Sequence, residues 1–269
     1  MIPLLVDTVE FFIVVSFALL AVALRAIDAR GFIASVAVGV SIVYGGGPGW
    51  FVILAVFFVL SVAATLYRYG YKKRLGGAQD KGGARSWPNI LANGGFASMI
   101  AVLNLLRPSA PLASLFLGAI STSAADTVAT ELGLLNRGSP RLVTNPTKKV
   151  TPGTSGGVSP LGFAGAAAAS AAIGVLAWVL GVASRSPAVI GLCVVGGLFG
   201  SLFDSFLGAL AQRKGYCQVC QKPTEALTHC GERTKVTEGA WFLENNVVNL
   251  VSTAMGAVAA FWYFVAVLI

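Results

Sequence analysis

The chain has 269 residues, of which 56% are hydrophobic and only 11% charged, and its mean hydropathy is +0.78. A soluble domain carries about a quarter charged residues, so a soluble all-helical protein is excluded: too little polar surface remains to cover it. The net charge of +8 lies in loops between apolar runs, so it reads as a membrane orientation signal and implies no nucleic-acid partner.

Runs near the roughly 20 apolar residues that cross hydrocarbon predict about eight transmembrane helices, hence an all-α polytopic membrane protein with a single integral membrane domain. In chain order they cover 4–24, 31–46, 50–67, 89–106, 111–134, 158–181, 187–211 and 246–268. The first lacks a basic front and runs on as a full span, so it does not read as a cleaved leader. The second is short and ends at Gly45-Gly46-Gly47-Pro48-Gly49, which leaves full crossing and re-entry both open.

Charge alternates between the loops. Arg25 and Arg30 follow the first span, and Arg68, Lys72, Lys73, Arg74, Lys81 and Arg85 follow the third. Arg137, Arg141, Lys148 and Lys149 follow the fifth, and Arg213, Lys214, Lys222, Arg233 and Lys235 the seventh. The even-numbered spans are followed only by Arg107 and Arg185. The positive-inside rule then places all four basic loops in the cytoplasm and both termini outside.

The last four spans carry an internal correspondence. Aligning Asp126 with Asp204 brings Gly118 onto Gly196, Ser123 onto Ser201 and Thr127 onto Ser205, and both following loops contain Lys-Val-Thr-x-Gly, at 149–153 and 235–239. This predicts parallel repeats, 111–181 and 187–268, about an axis along the membrane normal. A carboxylate inside a membrane span costs several kcal/mol unless paired or hydrated, which marks Asp126 and Asp204 as functional candidates. On the fifth span Thr122, Asp126 and Thr130 recur at every fourth residue, as do Ser123, Thr127 and Glu131, and together they form one polar arc. Two such arcs face to face offer hard oxygen ligands suited to Mg²⁺.

The loop from Thr144 to Ser159 holds Lys148, Lys149, Thr154, Ser155, Gly156 and Gly157 and runs into the sixth span. Glycine backbone amides and a helix N-terminus can bind phosphate. Asn89 and Asn93 open span four, while Asn245, Asn246 and Asn249 open span eight. N-capping accounts for one Asn per helix but not for a second a turn deeper, so head-group or nucleotide contact is the reading for Asn93 and Asn249. A further loop, 212–244, holds Cys217, Cys220, His229 and Cys230, and His229 is the chain's only histidine. A structural Zn²⁺ and a reduced cysteine cluster both stay open here; four protein ligands would leave no free position for catalysis.

Ser123-Ala124-Ala125-Asp126-Thr127-Val128-Ala129-Thr130-Glu131-Leu132-Gly133, the Lys149–Ser159 stretch and Asp204-Ser205-Phe206-Leu207-Gly208-Ala209 resemble the integral membrane family that contains the plant phytyl-phosphate kinase of tocopherol synthesis. That family has archaeal, bacterial and animal members, and the cysteine loop and Asn245-Asn246-Val247-Val248-Asn249 are similar to the archaeal and animal version. A weaker resemblance reaches the membrane CTP-dependent kinases and CDP-diacylglycerol synthases, although Pro152 stands where their loop usually has Glu.

The resemblance implies a CTP-dependent polyprenyl-phosphate kinase, moving a phosphoryl group from a nucleoside triphosphate onto an isoprenyl monophosphate lipid. Asp126 and Asp204, with Glu131, would hold Mg²⁺, and Lys148 and Lys149 with the Thr154–Gly157 backbone would cradle the triphosphate. Lys81, Asn93, Lys235, Asn245, Asn246 and Asn249 complete the expected phosphate and nucleotide contacts. The alternatives are a cytidylyltransferase making a CDP-activated lipid, and a transporter or scramblase of phosphorylated isoprenoids. The carrier needs polar residues continuing through the membrane, and spans five and seven are apolar beyond their aspartates.

Overall fold

The computed structural model describes residues 2–75, 77 and 81–269, with the backbone alone for residues 2–7, 81 and 223. Helices α1 (Ile2–Ala23), α2 (Ala29–Gly46), α3 (Pro48–Leu66) and the short α4 (Tyr69–Arg74) form the first half. A 3₁₀ turn at Lys81–Gly83 leads to α5 (Trp87–Leu106), and then come α6 (Ala110–Gly133), α7 (Pro160–Leu180), α8 (Ala188–Leu210) and α9 (Asn245–Val267). Among the described residues seven helices are long and apolar enough to cross a membrane, and α1, with side chains described from Thr8, adds an eighth apolar helix. The expected spans therefore match within a few residues. The second is a continuous 18-residue helix.

Local chemistry sets the boundaries. Asp28 caps α2 by accepting from Gly31 N at 2.8 Å, and Ser159 caps α7 by accepting from Gly162 N at 3.1 Å. Each cap satisfies an amide that a helix start leaves without a partner. Pro48, Pro88, Pro111 and Pro160 occupy first-turn positions, where a missing N–H costs nothing.

Helix α6 is the hub, packed against α3, α5, α7, α8 and α9. Within its apolar window 78% of residues are buried, against 33–39% for the other spans. That accounts for its low hydropathy: a helix surrounded by protein needs less apolar surface than one facing lipid. Its core contacts include Phe116, stacked on Trp50 of α3 at 4.1 Å between ring centroids.

The basic loops gather at one end of the bundle. Arg85 N donates to Ala26 O and Asp28 N to Arg85 O, joining the α1–α2 turn to the segment before α5. Lys72, beyond α3, reaches Glu131 at the end of α6, and Ser155 reaches Glu225. At the opposite end Asn104 donates to Gly45 O at 2.7 Å, so the charge-poor turns sit together there.

The loops contain strands that hydropathy patterning does not foresee. β1 (Arg141–Leu142) pairs antiparallel with β2 (Asn145–Lys149) and with β3 (Gly157–Val158). β4 (Lys214–Cys217) pairs with β5 (Lys222–Thr224) and β8 (Lys235–Glu238), and β6 (Thr228–His229) with β7 (Glu232–Arg233). These ribbons give the polar loop backbone its hydrogen bonds where helices have ended.

Candidate active site

Helices α6 and α8 cross closely at positions 78 residues apart in the chain. A Cβ on Gly196 would lie 3.1 Å from Gly118 Cα, and one on Gly200 would lie 2.3 Å from Thr122 Oγ1. Helix α9 closes the same crossing, since a Cβ on Gly118 would be 2.7 Å from Gly256 O. Thr122 Oγ1 donates to Gly118 O at 2.8 Å and to Gly196 O at 3.1 Å. One turn further toward the basic end, α6 carries Asp126 and α8 carries Asp204, with Ser201 beside Asp126 and Ser252 beside Asp204. Oriented to satisfy both neighbours, the Asn249 amide donates to Asp204 Oδ2 at 3.1 Å and to Asn245 O at 3.0 Å. An α9 side chain thus holds the α8 carboxylate in place.

The Gly-rich loop lies against this carboxylate-bearing end. Gly156 has φ +78°, and a Cβ there would fall 2.5 Å from Ala209 Cβ, one turn beyond Asp204. Only a glycine lets the loop backbone come this close to α8 in that conformation. Thr154 O accepts from Gly157 N at 2.9 Å, the Thr151 and Thr154 hydroxyls share a bond of 2.9 Å, and Ser155 Oγ donates to the Glu225 carboxylate. Each Lys-Val-Thr-x-Gly stretch has its lysine paired with a strand leaving the preceding helix, Lys149 with Arg141 and Lys235 with Tyr216. Each ends on a glycine of positive φ, +86° at Gly153 and +76° at Gly239.

The other expected residues distribute differently. Lys148 and Lys149 are exposed on β2 and Lys235 on β8. Lys214, with a smaller contribution from Lys148, holds the Glu238 carboxyl below the usual carboxylate range. Asn245 is exposed, Asn246 half-buried and Asn249 buried. The side chain of Lys81 lies outside the described residues. Glu131 belongs to another cluster: it is fully buried and pairs with Lys72, whose Nζ also donates to Ala64 O at 2.8 Å and Thr65 O at 2.7 Å. Its Oε1 has no hydrogen bond among the described residues. The four cysteine-loop ligands converge in the ribbon formed by β4–β8, as taken up below.

A cleft adjoins the site. Phe17, Ala21, Val38, Phe51 and Phe57 are among its apolar walls, from α1, α2 and α3, and Arg85, Asn89 and Asn93 form its polar end. It encloses about 640 Å³ of atom-free space, counting the part open to the outside. Ser123 Oγ donates to Asn93 O at 2.7 Å, which sets that polar end against α6 one turn from Asp126. Arg85 reaches Asn89 Oδ1 at 3.1 Å and Thr65 Oγ1 at 3.4 Å, while its Nε is buried with no hydrogen bond among the described residues. Burial lowers its pKa from the ordinary value, and Glu131 opposes that shift. Neither Lys72 nor Arg85 stood out as a site residue in the sequence, because both counted only toward the basic loops. Glu225 is the one acid between Cys220 and His229, a position that could have drawn notice.

A family model described as "Integral membrane protein DUF92" matches residues 12–257. The chain belongs to this family. Among relatives of this DUF92 chain, Protein PGR of Arabidopsis thaliana is 33% identical over 251 residues, covering 85% of each chain. Uncharacterized membrane protein MJ0933 of Methanocaldococcus jannaschii is 29% identical over 235 residues, covering 87% of this chain and 84% of its own. Protein VTE6, chloroplastic, of Arabidopsis thaliana is 26% identical over 240 residues, covering 87% of this chain and 64% of its own. No solved structure matches.

Proposed function

We propose that this DUF92 protein is a phosphotransferase that converts an isoprenyl monophosphate lipid to its diphosphate with a nucleoside triphosphate, CTP being favoured, at a site between two copies of one helix–ribbon–helix unit, 111–181 and 187–268. The observation that carries the reading is the placement of Asp126 and Asp204 at the same end of two helices packed on each other, with the Gly156 backbone packed one turn beyond Asp204. Two carboxylates on neighbouring spans, flanked by hydroxyls and an amide, are costly in a membrane protein unless a cation neutralises them. All the donors are hard oxygens, a set that fits Mg²⁺ completed by phosphate oxygens. Bound there, Mg²⁺ would neutralise charge on the transferring phosphates.

The chain's own residues would do the positioning. Asn249 fixes the Asp204 carboxylate; the Gly-rich loop offers backbone amides to the triphosphate; and Lys148, Lys149 and Lys235 on the exposed ribbons add positive charge around the entrance. In the acceptor, the lipid tail would occupy the cleft between α1, α2, α3 and α5, its phosphate meeting Arg85 and Asn89. An acceptor phosphate is already ionised, so the reaction needs no strong general base, in keeping with a site that has no histidine near the aspartates. The resemblance to the phytyl-phosphate kinase family supports the same direction.

The tight crossing of Gly118, Gly196 and Gly256 favours an enzyme over a carrier. It packs the three helices together on the far side of the carboxylates, where a carrier would need a polar path. The test is purified protein in detergent with CTP, Mg²⁺ and geranylgeranyl or phytyl phosphate. Wild type should release CDP and form the lipid diphosphate, and Asp126→Asn should lower the rate about 100-fold or more. Absence of diphosphate with wild type, or an unchanged rate in Asp126→Asn, ends this reading. Release of pyrophosphate in place of CDP would identify a cytidylyltransferase.

A further inference from the structure

The ribbon between α8 and α9 poses a stability problem. Among its described residues Tyr216, Val219, Leu227, Val236, Trp241 and Phe242 are exposed and Cys217 alone of the apolar side chains is buried. Chain segments this small usually need a metal, a disulfide or a partner to hold a shape. Yet the ribbon makes specific contacts at its base. Arg213, 2% exposed, donates to Glu225 O, Ala226 O, Thr234 O and Thr234 Oγ1 at 2.6–3.2 Å. Gln212 Nε2 donates to Glu225 Oε2 at 2.8 Å, and the same carboxylate accepts from Ser155 of the Gly-rich loop.

Two hairpin turns face each other across this ribbon. The β4–β5 turn presents Cys217 and Cys220, closed by Gln221 at φ +54°. The β6–β7 turn presents His229 and Cys230, with Cys230 at φ +53° and Gly231 at φ +84°. A non-glycine residue adopts such a left-handed conformation at a cost, and Gln221 and Cys230 both do so at or beside the ligand positions. The four ligand atoms lie within 4.8 Å of one another. Nδ1 of His229 is 3.5 Å from Cys220 Sγ and 3.2 Å from Cys230 Sγ. Tetrahedral zinc with Zn–S near 2.3 Å and Zn–N near 2.0–2.1 Å sets ligand–ligand edges of about 3.5–3.8 Å. The thiols are free, and three soft sulfurs with one imidazole suit Zn²⁺.

We propose that Cys217, Cys220, His229 and Cys230 bind one structural Zn²⁺ that clamps the two hairpin turns together and so holds Glu225 on Ser155 of the Gly-rich loop. The metal sits outside the transmembrane bundle and has no open coordination position, so it organises and does not react. Glu225 lies between the two turns in sequence, so both flanks of the segment that touches the loop are fixed by the same ion. The zinc site stands on its own geometry; only the consequence for phosphoryl transfer rests on the proposed function.

The test begins with protein purified in detergent without added metal or chelator and analysed by inductively coupled plasma mass spectrometry, with a Zn²⁺ titration of the reduced protein alongside. About one Zn²⁺ per chain is expected, and Co²⁺ exchange should give thiolate charge-transfer and tetrahedral d–d absorption. Cys220→Ser should lower the metal content at least severalfold and speed trypsin cleavage at Arg233 and Lys235 about tenfold or more. The conservative Cys230→His should keep the ion, and Cys193→Ser, inside the bundle, should leave its stoichiometry unchanged. If the folded, reduced protein takes up neither Zn²⁺ nor Co²⁺, or binds iron in preference, the proposal is overturned. Zinc at full occupancy in a protein inactive with CTP would keep the metal site and remove the kinase.

Discussion

At the scale of single residues, the Lys72–Glu131 pair sets Glu131 apart from the two carboxylates proposed to hold the phosphates' metal. Lys72 is held by two backbone carbonyls as well as by Glu131, which ties the end of α3 to the end of α6. Removing one partner of a buried pair leaves an uncompensated charge and costs about 3–5 kcal/mol. Lys72→Met should therefore lower the unfolding temperature in detergent sharply, and Lys72→Met with Glu131→Gln should recover most of the loss. Asp126→Asn should behave in the opposite way, removing activity while unfolding at or above the wild-type temperature, because it takes a costly carboxylate out of a membrane span. If Glu131→Gln abolishes turnover at unchanged stability, then Glu131 belongs with the reacting centre. The sequence brought out Asp126 and Asp204 because a charge in an apolar run is conspicuous. It could not separate Glu131 from them, since helical spacing puts all three near one end and only the fold shows that Lys72 occupies one.

At the scale of elements, the approach of the Gly-rich loop to α8 sets how precisely a phosphate could be held. Gly156→Ala meets two obstacles together, a left-handed φ of +78° and Ala209 at 2.5 Å. The strain has an easy outlet, because the loop can lift off the helix end without disturbing the packed bundle. Expression and thermal unfolding should then stay within about 1–2 kcal/mol of wild type, while the apparent affinity for CTP falls at least severalfold. Gly153→Ala tests conformation with less crowding, its nearest contacts being 3.8 Å or more, and should show the smaller effect. The eight helices were legible because hydropathy and length report lipid exposure directly. The loop ribbons were not: β2 is exposed at all five residues, so it carries no alternation of apolar and polar side chains. The correspondence of Gly118, Ser123, Asp126 and Thr127 with Gly196, Ser201, Asp204 and Ser205 could be aligned on paper. That Gly118 touches Gly196 and Thr122 touches Gly200 follows from the direct packing of α6 on α8, which periodicity does not reveal.

At the scale of the whole molecule, the open question is which way the bundle sits in its membrane. The turns rich in Arg and Lys share one end with both aspartates, and the turns bearing Arg107 and Arg185 lie at the other. We propose that the basic end faces the cytoplasm, since orientation follows the side with more Lys and Arg in short loops. Nucleotides are available there, so the proposed chemistry requires the same orientation on independent grounds. The check uses a membrane-impermeant maleimide on intact cells and on inverted vesicles, in a background with Cys217, Cys220 and Cys230 replaced by Ser. Cys193 can remain, because it is fully buried within α8. Arg137→Cys, in the exposed turn after α6, should label only in inverted vesicles, and Arg185→Cys, in the turn between α7 and α8, only in intact cells. The second substitution removes a positive charge from the outer side and so reinforces the orientation it reports. Labelling of Arg137→Cys from outside would put the carboxylate site away from the nucleotide pool, and the phosphotransferase reading would fall together with the topology.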